Sequence, residues 1–240
     1  MPVSAALTRG FPGSLCAGSS GCFTRSFQRG QIIYALGEEP RSIYIIRSGS
    51  VKIITLSEDG KEVILSIRKE NDISGEFGLC QSQRPVSAVA MEPSEVAEVR
   101  VEDLSHQLLR SQDEAYEFLL WVVEKLSEAY ETIGEFSLDN LHRRLTKALL
   151  KLAEKFGDDI ESGTQLSCFI TQEEIAHMVS ATREAVSSAL IDLRRCGLIN
   201  YTRKGKLIIY REKLINELKP SHKYLSGLIF LASAIFETAS

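Results

Sequence analysis

Residues 170–211 read ITQEEIAHMVSATREAVSSALIDLRRCGLINYTRKGKLIIYR, and the rest of the chain is best approached from them. Thr171 followed by Glu174 is a capping box, in which the Thr hydroxyl takes an orphan N–H and the Glu reaches back to Thr171. A short helix is expected from there to Val179, with Ile175 and Met178/Val179 inward. Ser180-Ala181 leaves room only for a tight turn. Thr182 then caps a second helix that ends at Cys196, with Gly197 as the residue just past the end. On this helix Val186, Leu190 and Leu193 face inward at i, i+4 and i+7, while Arg183, Glu184, Ser187 and Ser188 lie on the opposite side. Leu198-Ile199, the basic turn Thr202-Arg203-Lys204-Gly205-Lys206 and Leu207–Tyr210 predict a β-hairpin wing. Two helices joined by so short a turn form the helix-turn-helix pattern, whose second helix enters the DNA major groove N-terminus first.

The residue types suit that position. An Arg at the helix start can bond guanine O6 and N7 together, a Glu can accept from cytosine N4, and Ser is an adaptable donor and acceptor. Thr171, Gln172 and Thr182 stand at helix N-termini, where hydroxyls, amides and the helix dipole favour phosphate. Lys204 and Lys206 in the wing add phosphate-directed charge. A plain helical hairpin with a solvated Arg-Glu pair is the competing reading, and the basic wing weighs against it.

Working outward, residues 139–157 predict a helix with Leu141, Leu145, Ala148/Leu149 and Leu152 on one face, stopped by Gly157, and residues 158–163 read as a polar linker. From Val101 to Phe136 there is no Pro and the only Gly is Gly134, so one continuous helical stretch is expected. Within it Leu119, Val122, Leu126, Ala129, Ile133 and Phe136 step 3, 4, 3, 4, 3, the a/d seam of a helix that pairs with another. A twofold homodimer is the commonest source of that partner. From Phe23 to Val101 short alternating apolar segments are broken by turns such as Gly37-Glu38-Glu39-Pro40, Glu58-Asp59-Gly60 and Asn71-Asp72, the pattern of a barrel or sandwich. Residues 1–22 are rich in Gly, Ser and Ala and read as loosely ordered; Leu225–Phe236 is mostly apolar but too short to cross a bilayer, and reads as a docked terminal helix.

Composition narrows the function classes. The chain has 240 residues, 44% apolar and 25% charged, which excludes wholesale disorder and fits one large domain or two modest ones. Five cysteines with no CxxC argue against a disulfide scaffold and for a reducing cytoplasm, and no secretory leader is evident. Residues 1–136 carry a net charge of −7 and residues 137–240 one of +3, the asymmetry of a sensor joined to a nucleic-acid binder. A cupin-type metal enzyme would need histidines on the strands, and residues 23–101 contain none. With no nucleophile triad and no P-loop either, the chain does not read as an enzyme.

The motifs ITQEEIAHMVSATREAVSSALIDLRRCGLI, YIIRSGSVKI, EDGKEVIL and ISGEFGL resemble the cAMP receptor protein/FNR family of bacterial transcription regulators over roughly residues 23–215. The resemblance implies an α+β fold: a cupin-like β-roll sensor domain (23–104) after a flexible segment (1–22), a long dimerisation helix (105–137), a winged helix-turn-helix domain (138–216) and a C-terminal extension (217–240). It implies homodimers on a near-palindromic operator in double-stranded DNA, with RNA polymerase as a partner. The alternative is a ligand- or redox-sensing module whose main partner is another protein.

The departures from the family bear on the signal. Cyclic-nucleotide members carry Gly-Glu and then Arg-Ser; here Gly75-Glu76 is present, but the second pair reads Val86-Ser87, with Arg84 two residues earlier. The base-reading Thr-Ser of the dimer helix aligns with Ala129-Tyr130. The resemblance thus gives Glu76, Arg84, Ser87 and, from the dimer helix, Tyr130 as the effector pocket, with cyclic AMP binding weakly or not at all. In the recognition helix Ser188 stands where nucleotide-type members have Arg. Iron–sulfur members hold several N-terminal cysteines; here Cys16, Cys22 and Cys80 are the redox or cluster candidates, and the usual late ligand is Ala97. A haem stays open, although no His has ligand spacing, and no metal site is expected from the histidines.

Overall fold

The computed structural model describes residues 22–219. They divide into two compact units, one of residues 22–144 with 168–187, the other of residues 145–167 with 188–219.

The first unit opens with eight strands: β1 Phe23–Phe27, β2 Ile32–Tyr34, β3 Ser42–Ser48, β4 Ser50–Leu56, β5 Glu62–Lys69, β6 Ile73–Ser74, β7 Ser87–Ala90 and β8 Ser94–Arg100. They form two four-stranded antiparallel sheets in the orders β1-β8-β3-β6 and β2-β7-β4-β5. Strand β3 shows why its apolar run is continuous. Tyr44 and Ile46 join the cluster shared by the two sheets, with Tyr34, Val51, Val86 and Val96. Ile43 and Ile45 point the other way, into a second cluster with Ile73, Val99, Leu104 and Trp121. A strand covered on both faces loses the polar half of its alternation.

The helical stretch after β8 is not continuous. α1 is Val101–Arg110 and α2 is Gln112–Leu138, separated at Ser111, which is extended and whose hydroxyl accepts the Glu114 N–H as an N-cap at 3.3 Å. The sequence carries no Gly or Pro there; the break comes from a Ser that can cap a new helix as readily as continue the old one. Trp121 is the buried residue of α2, whereas Leu119, Val122, Leu126, Ile133 and Phe136 of the expected seam are exposed, along with Tyr116, Val123 and Tyr130. The same unit holds helix α4 (Gln172–Met178) and the first turn of helix α5 (Arg183–Arg195).

In the second unit most of helix α3 (Leu141–Phe156) buries Leu145, Leu149, Leu152 and Phe156. Residues 158–163, expected to be a polar linker, instead belong to a hairpin, β9 Gly157–Ile160 with β10 Gly163–Leu166. Thr164 and Leu166 are its buried side, and β10 goes on to pair with β12, so tertiary pairing overrides a turn-like composition. The sheet order is β11-β12-β10-β9, where β11 is Ile199–Tyr201 and β12 is Leu207–Ile209, the expected wing. Helix α6, Arg211–Leu218, closes the described chain and buries Leu214. No helix among the described residues is long and apolar enough to cross a membrane. Cys16 and the apolar run Leu225–Phe236 lie outside the described residues.

Candidate DNA interface and effector pocket

The capping box at α4 forms in full. Thr171 Oγ1 accepts the Glu174 N–H at 3.1 Å, and Glu174 Oε2 accepts the Thr171 N–H at 2.8 Å and its hydroxyl at 2.9 Å. Glu174 is buried and is gripped from outside by Arg29, whose Nη2 reaches both its oxygens at 3.2 and 3.3 Å. His177 of α4 faces Glu62 of β5 at 3.2 Å, and Glu62 also accepts from Lys52 at 2.6 Å. Burial raises the Glu62 carboxyl, but Lys52 and His177 outweigh it and hold the group below the usual carboxylate range.

The turn after α4 places Ser180 in the left-handed region (φ 49), and the Ala181 N–H bonds back to Ala176 O. Thr182 Oγ1 accepts the Ala185 N–H at 3.2 Å and so caps α5. At the far end Leu198 N–H reaches Leu193 O and Gly197 N–H reaches Arg194 O, a Schellman motif in which Gly197 adopts φ 68, a conformation that costs a residue with a Cβ more. Val186, Leu190 and Leu193 are buried, as the helical spacing requires.

That leaves the polar side of α5 outward. Thr182, Arg183, Glu184 and Ser188 are exposed and Ser187 is half-buried. No side-chain hydrogen bond or ion pair among the described residues engages Arg183, Glu184, Ser187 or Ser188, and the same holds for exposed Gln172 and Lys204. Lys206 differs: its Nζ donates to Ser167 O at 3.1 Å.

Of the four residues expected to line the effector pocket, Arg84, Glu76 and Ser87 are each engaged by another group of the chain, and Tyr130 is exposed. Arg84 is buried against two rings that stack on each other, 4.0 Å from the Tyr34 centroid and 5.3 Å from that of Tyr44, and its Nη2 donates to Ser42 O at 2.6 Å. Gly75, at φ 85, makes room for it: a Cβ there would lie 2.8 Å from Arg84 Nη1. Glu76 follows and accepts from Arg68 Nη2 at 3.3 Å. Ser87 Oγ is used by the Leu36 N–H at 2.8 Å. Tyr130 is exposed on α2 and hydrogen-bonds to none of the other three among the described residues. Val86, at the family's Arg position, is part of the inter-sheet core. The Tyr34 hydroxyl shares a 2.7 Å hydrogen bond with Ser74, and burial pushes its pKa up to about 12. Sequence reasoning missed Tyr34, Arg68 and Trp121; an Arg within the apolar run of β5 and the chain's single Trp were the available signals.

Of the cysteines, Cys22 is half-buried against the second apolar cluster, Cys80 is exposed with Sγ 3.6 Å from Phe77 O, and no group of three or more His, Cys, Asp or Glu among the described residues could hold a metal. The described residues therefore do not present a ligand set for an iron–sulfur cluster.

Comparison with known proteins matches residues 24–111 to the cyclic nucleotide-binding domain and residues 143–217 to the Crp-like helix-turn-helix domain. The CRP-like cAMP-activated global transcriptional regulator of Mycobacterium tuberculosis is 33% identical over 193 residues, 78% of this chain and 84% of that one. The chain belongs to the CRP/FNR family. Another relative, the anaerobic regulatory protein of Bacillus subtilis, is 27% identical over 189 residues, 78% of this chain and 79% of its own. Among solved structures, FixK2 from Bradyrhizobium japonicum shares the fold with a TM-score of 0.75 at 18% identity, covering 83% of this chain and 98% of that one. The CRP/FNR assignment makes the chain a DNA-binding transcription regulator, not an enzyme.

Proposed function

We infer that this CRP/FNR protein is a cytoplasmic homodimer that binds a near-palindromic operator sequence-specifically, under a signal received by the β-roll. The observation that carries the reading is the outward face of α5, where Arg183, Glu184, Ser187 and Ser188 have no side-chain partners among the described residues. Polar side chains in that state can offer their full hydrogen-bonding capacity to base edges. Gln172, Thr182, Lys204 and Lys206 serve the phosphates, and Thr171, whose own donors are taken by Glu174, sets the start of α4 beside them. The exposed apolar row of α2, through Leu119, Leu126 and Ile133, pairs with a second copy, because so long an apolar stripe on a helix is otherwise left in water. RNA polymerase is the further partner. Residues 23–104 act as sensor, 105–137 as pairing helix and 138–216 as DNA-binding domain.

Cyclic AMP is not the signal in this reading, despite the relative that it activates. Arg84 is committed to Ser42 O and two rings, Glu76 to Arg68, and Val86 offers no charge. Arg183→Ala should cost about 1–3 kcal/mol on the operator and relax selectivity at one base pair, whereas Lys204→Ala should weaken all duplexes alike and lower the salt slope by about 1. Equal loss on operator and random DNA for Arg183→Ala would remove the base-reading role. Leu126→Glu should yield monomers by light scattering; a dimeric variant would show that the α2 row has another use.

A further inference from the structure

Most buried polar side chains of the roll satisfy one another; Arg68 does not. Its side chain is only 6% exposed, yet among the described residues Nε and Nη1 have no hydrogen-bond partner, and the one hydrogen bond, Nη2 to Glu76, is long at 3.3 Å. The guanidinium lies 5.5 Å from the ring of Trp121 on α2, and the buried indole Nε1 of Trp121 also lacks an acceptor among the described residues. Guanidinium and indole are donors only, so nothing either residue can do by rotating supplies the other with an acceptor. Buried donors in this state are costly and call for a partner. Glu76 can shift to cover Nε, which shares an edge with Nη2; it cannot also serve Nη1 and the indole. The missing component is an acceptor, and beside an underpaired Arg it is an anion.

We propose that Arg68 and Trp121 form a binding site for a small carboxylate, one oxygen taken by Nη1 of Arg68 and the other by the indole N–H. A single negative charge fits because Glu76 already stands at the guanidinium, where a doubly charged phosphate would meet like charge. The apolar neighbours of Trp121, which include Ile43, Ile73 and Leu104, also favour a group with little charge to desolvate. The site shares Glu76 with the expected effector residues, and it links β5 to the helix that carries the exposed apolar row. The proposal deepens the reading of the roll as a small-molecule sensor and rests on it.

Trp121 is the only tryptophan, so its fluorescence reports this site in the full chain. Sodium acetate, titrated at constant ionic strength against chloride, should give a saturable emission change and raise the unfolding midpoint. In Arg68→Met, and in Arg68→Lys should the first variant not fold, acetate affinity should fall about tenfold or more. An equal response to inorganic phosphate or to chloride overturns the carboxylate assignment. A linear response unchanged by either substitution overturns the site and leaves bound water on these donors. Operator binding measured on the same preparations tests the regulator reading separately, since Arg183 takes no part in the fluorescence change.

Discussion

The polar face of α5 and the polar interior of the roll treat the same residue types in opposite ways. On α5, Arg183, Glu184 and Ser188 are exposed and have no partner among the described residues. In the roll, Arg84, Glu76 and Ser87 are each spent on another group of the chain. A side chain held in reserve for an external partner is thus marked by idle hydrogen-bonding capacity, not by residue type. By that measure Arg84, Glu76 and Ser87 are spent within the chain, Tyr130 stays idle on α2, and buried idle capacity sits at Arg68 of β5 and Trp121 of α2.

The largest effect that could break this contrast is at Arg84. Removing it leaves a void beside the stacked rings of Tyr34 and Tyr44 and takes a donor from Ser42 O, so Arg84→Ala should destabilise the chain by about 3 kcal/mol in urea unfolding. Arg183→Ala should leave stability unchanged within about 0.5 kcal/mol. If Arg84→Ala were as stable as the parent, Arg84 would be a reserved binding residue after all.

A second, somewhat smaller effect sharpens the picture of the roll interior. The Tyr34 hydroxyl is raised from 10.0 to about 12 by burial, so the folded state holds its proton where the unfolded state releases it. This stabilisation is complete below pH 10 and is lost as pH rises to 12, about 2–3 kcal/mol in all. Tyr44 and Tyr201 shift the same way, also chiefly through burial. Tyr34→Phe should therefore reduce the loss of stability above pH 10 without abolishing it, as read from denaturant midpoints across that range. An unaltered alkaline slope would show that Tyr34 is open to water.

These contrasts also explain what could be read from the sequence. The helix-turn-helix and wing were legible because caps, a C-terminal Gly and helical spacing act over a few residues, and Thr171, Glu174 and Gly197 behave as written. The break at Ser111 was not, because capping and continuing a helix draw on the same residue. The hairpin of β9 and β10 depends on pairing with β12, more than forty residues away, which no local pattern records. The fate of Arg84 depends on Tyr34, Tyr44 and Gly75 meeting across the fold. Spacing in the chain gave Arg84 as an effector residue and could not tell that Ser42 O and two tyrosine rings would engage it.

The smallest effect separates two threonines that the sequence treats alike. Thr171 and Thr182 both cap helices, and both are expected to meet phosphate. The Thr171 hydroxyl donates to Glu174 and accepts from its N–H, so no donor is left for DNA. The Thr182 hydroxyl accepts from Ala185, and its own O–H has no acceptor among the described residues. Thr171→Ala should therefore be mainly a stability variant, costing about 1 kcal/mol or somewhat more, since it also loosens the buried Glu174 held by Arg29. Thr182→Ala, with one longer capping bond at an exposed site, should cost about 0.5 kcal/mol in stability but weaken duplex binding on operator and random DNA alike, because a phosphate contact carries no sequence information. Urea midpoints and DNA titrations on the two variants give four numbers. If Thr171→Ala lost the more DNA affinity and Thr182→Ala the more stability, idle hydrogen-bonding capacity would not be the mark of a reserved side chain, even on the helices where it is easiest to see.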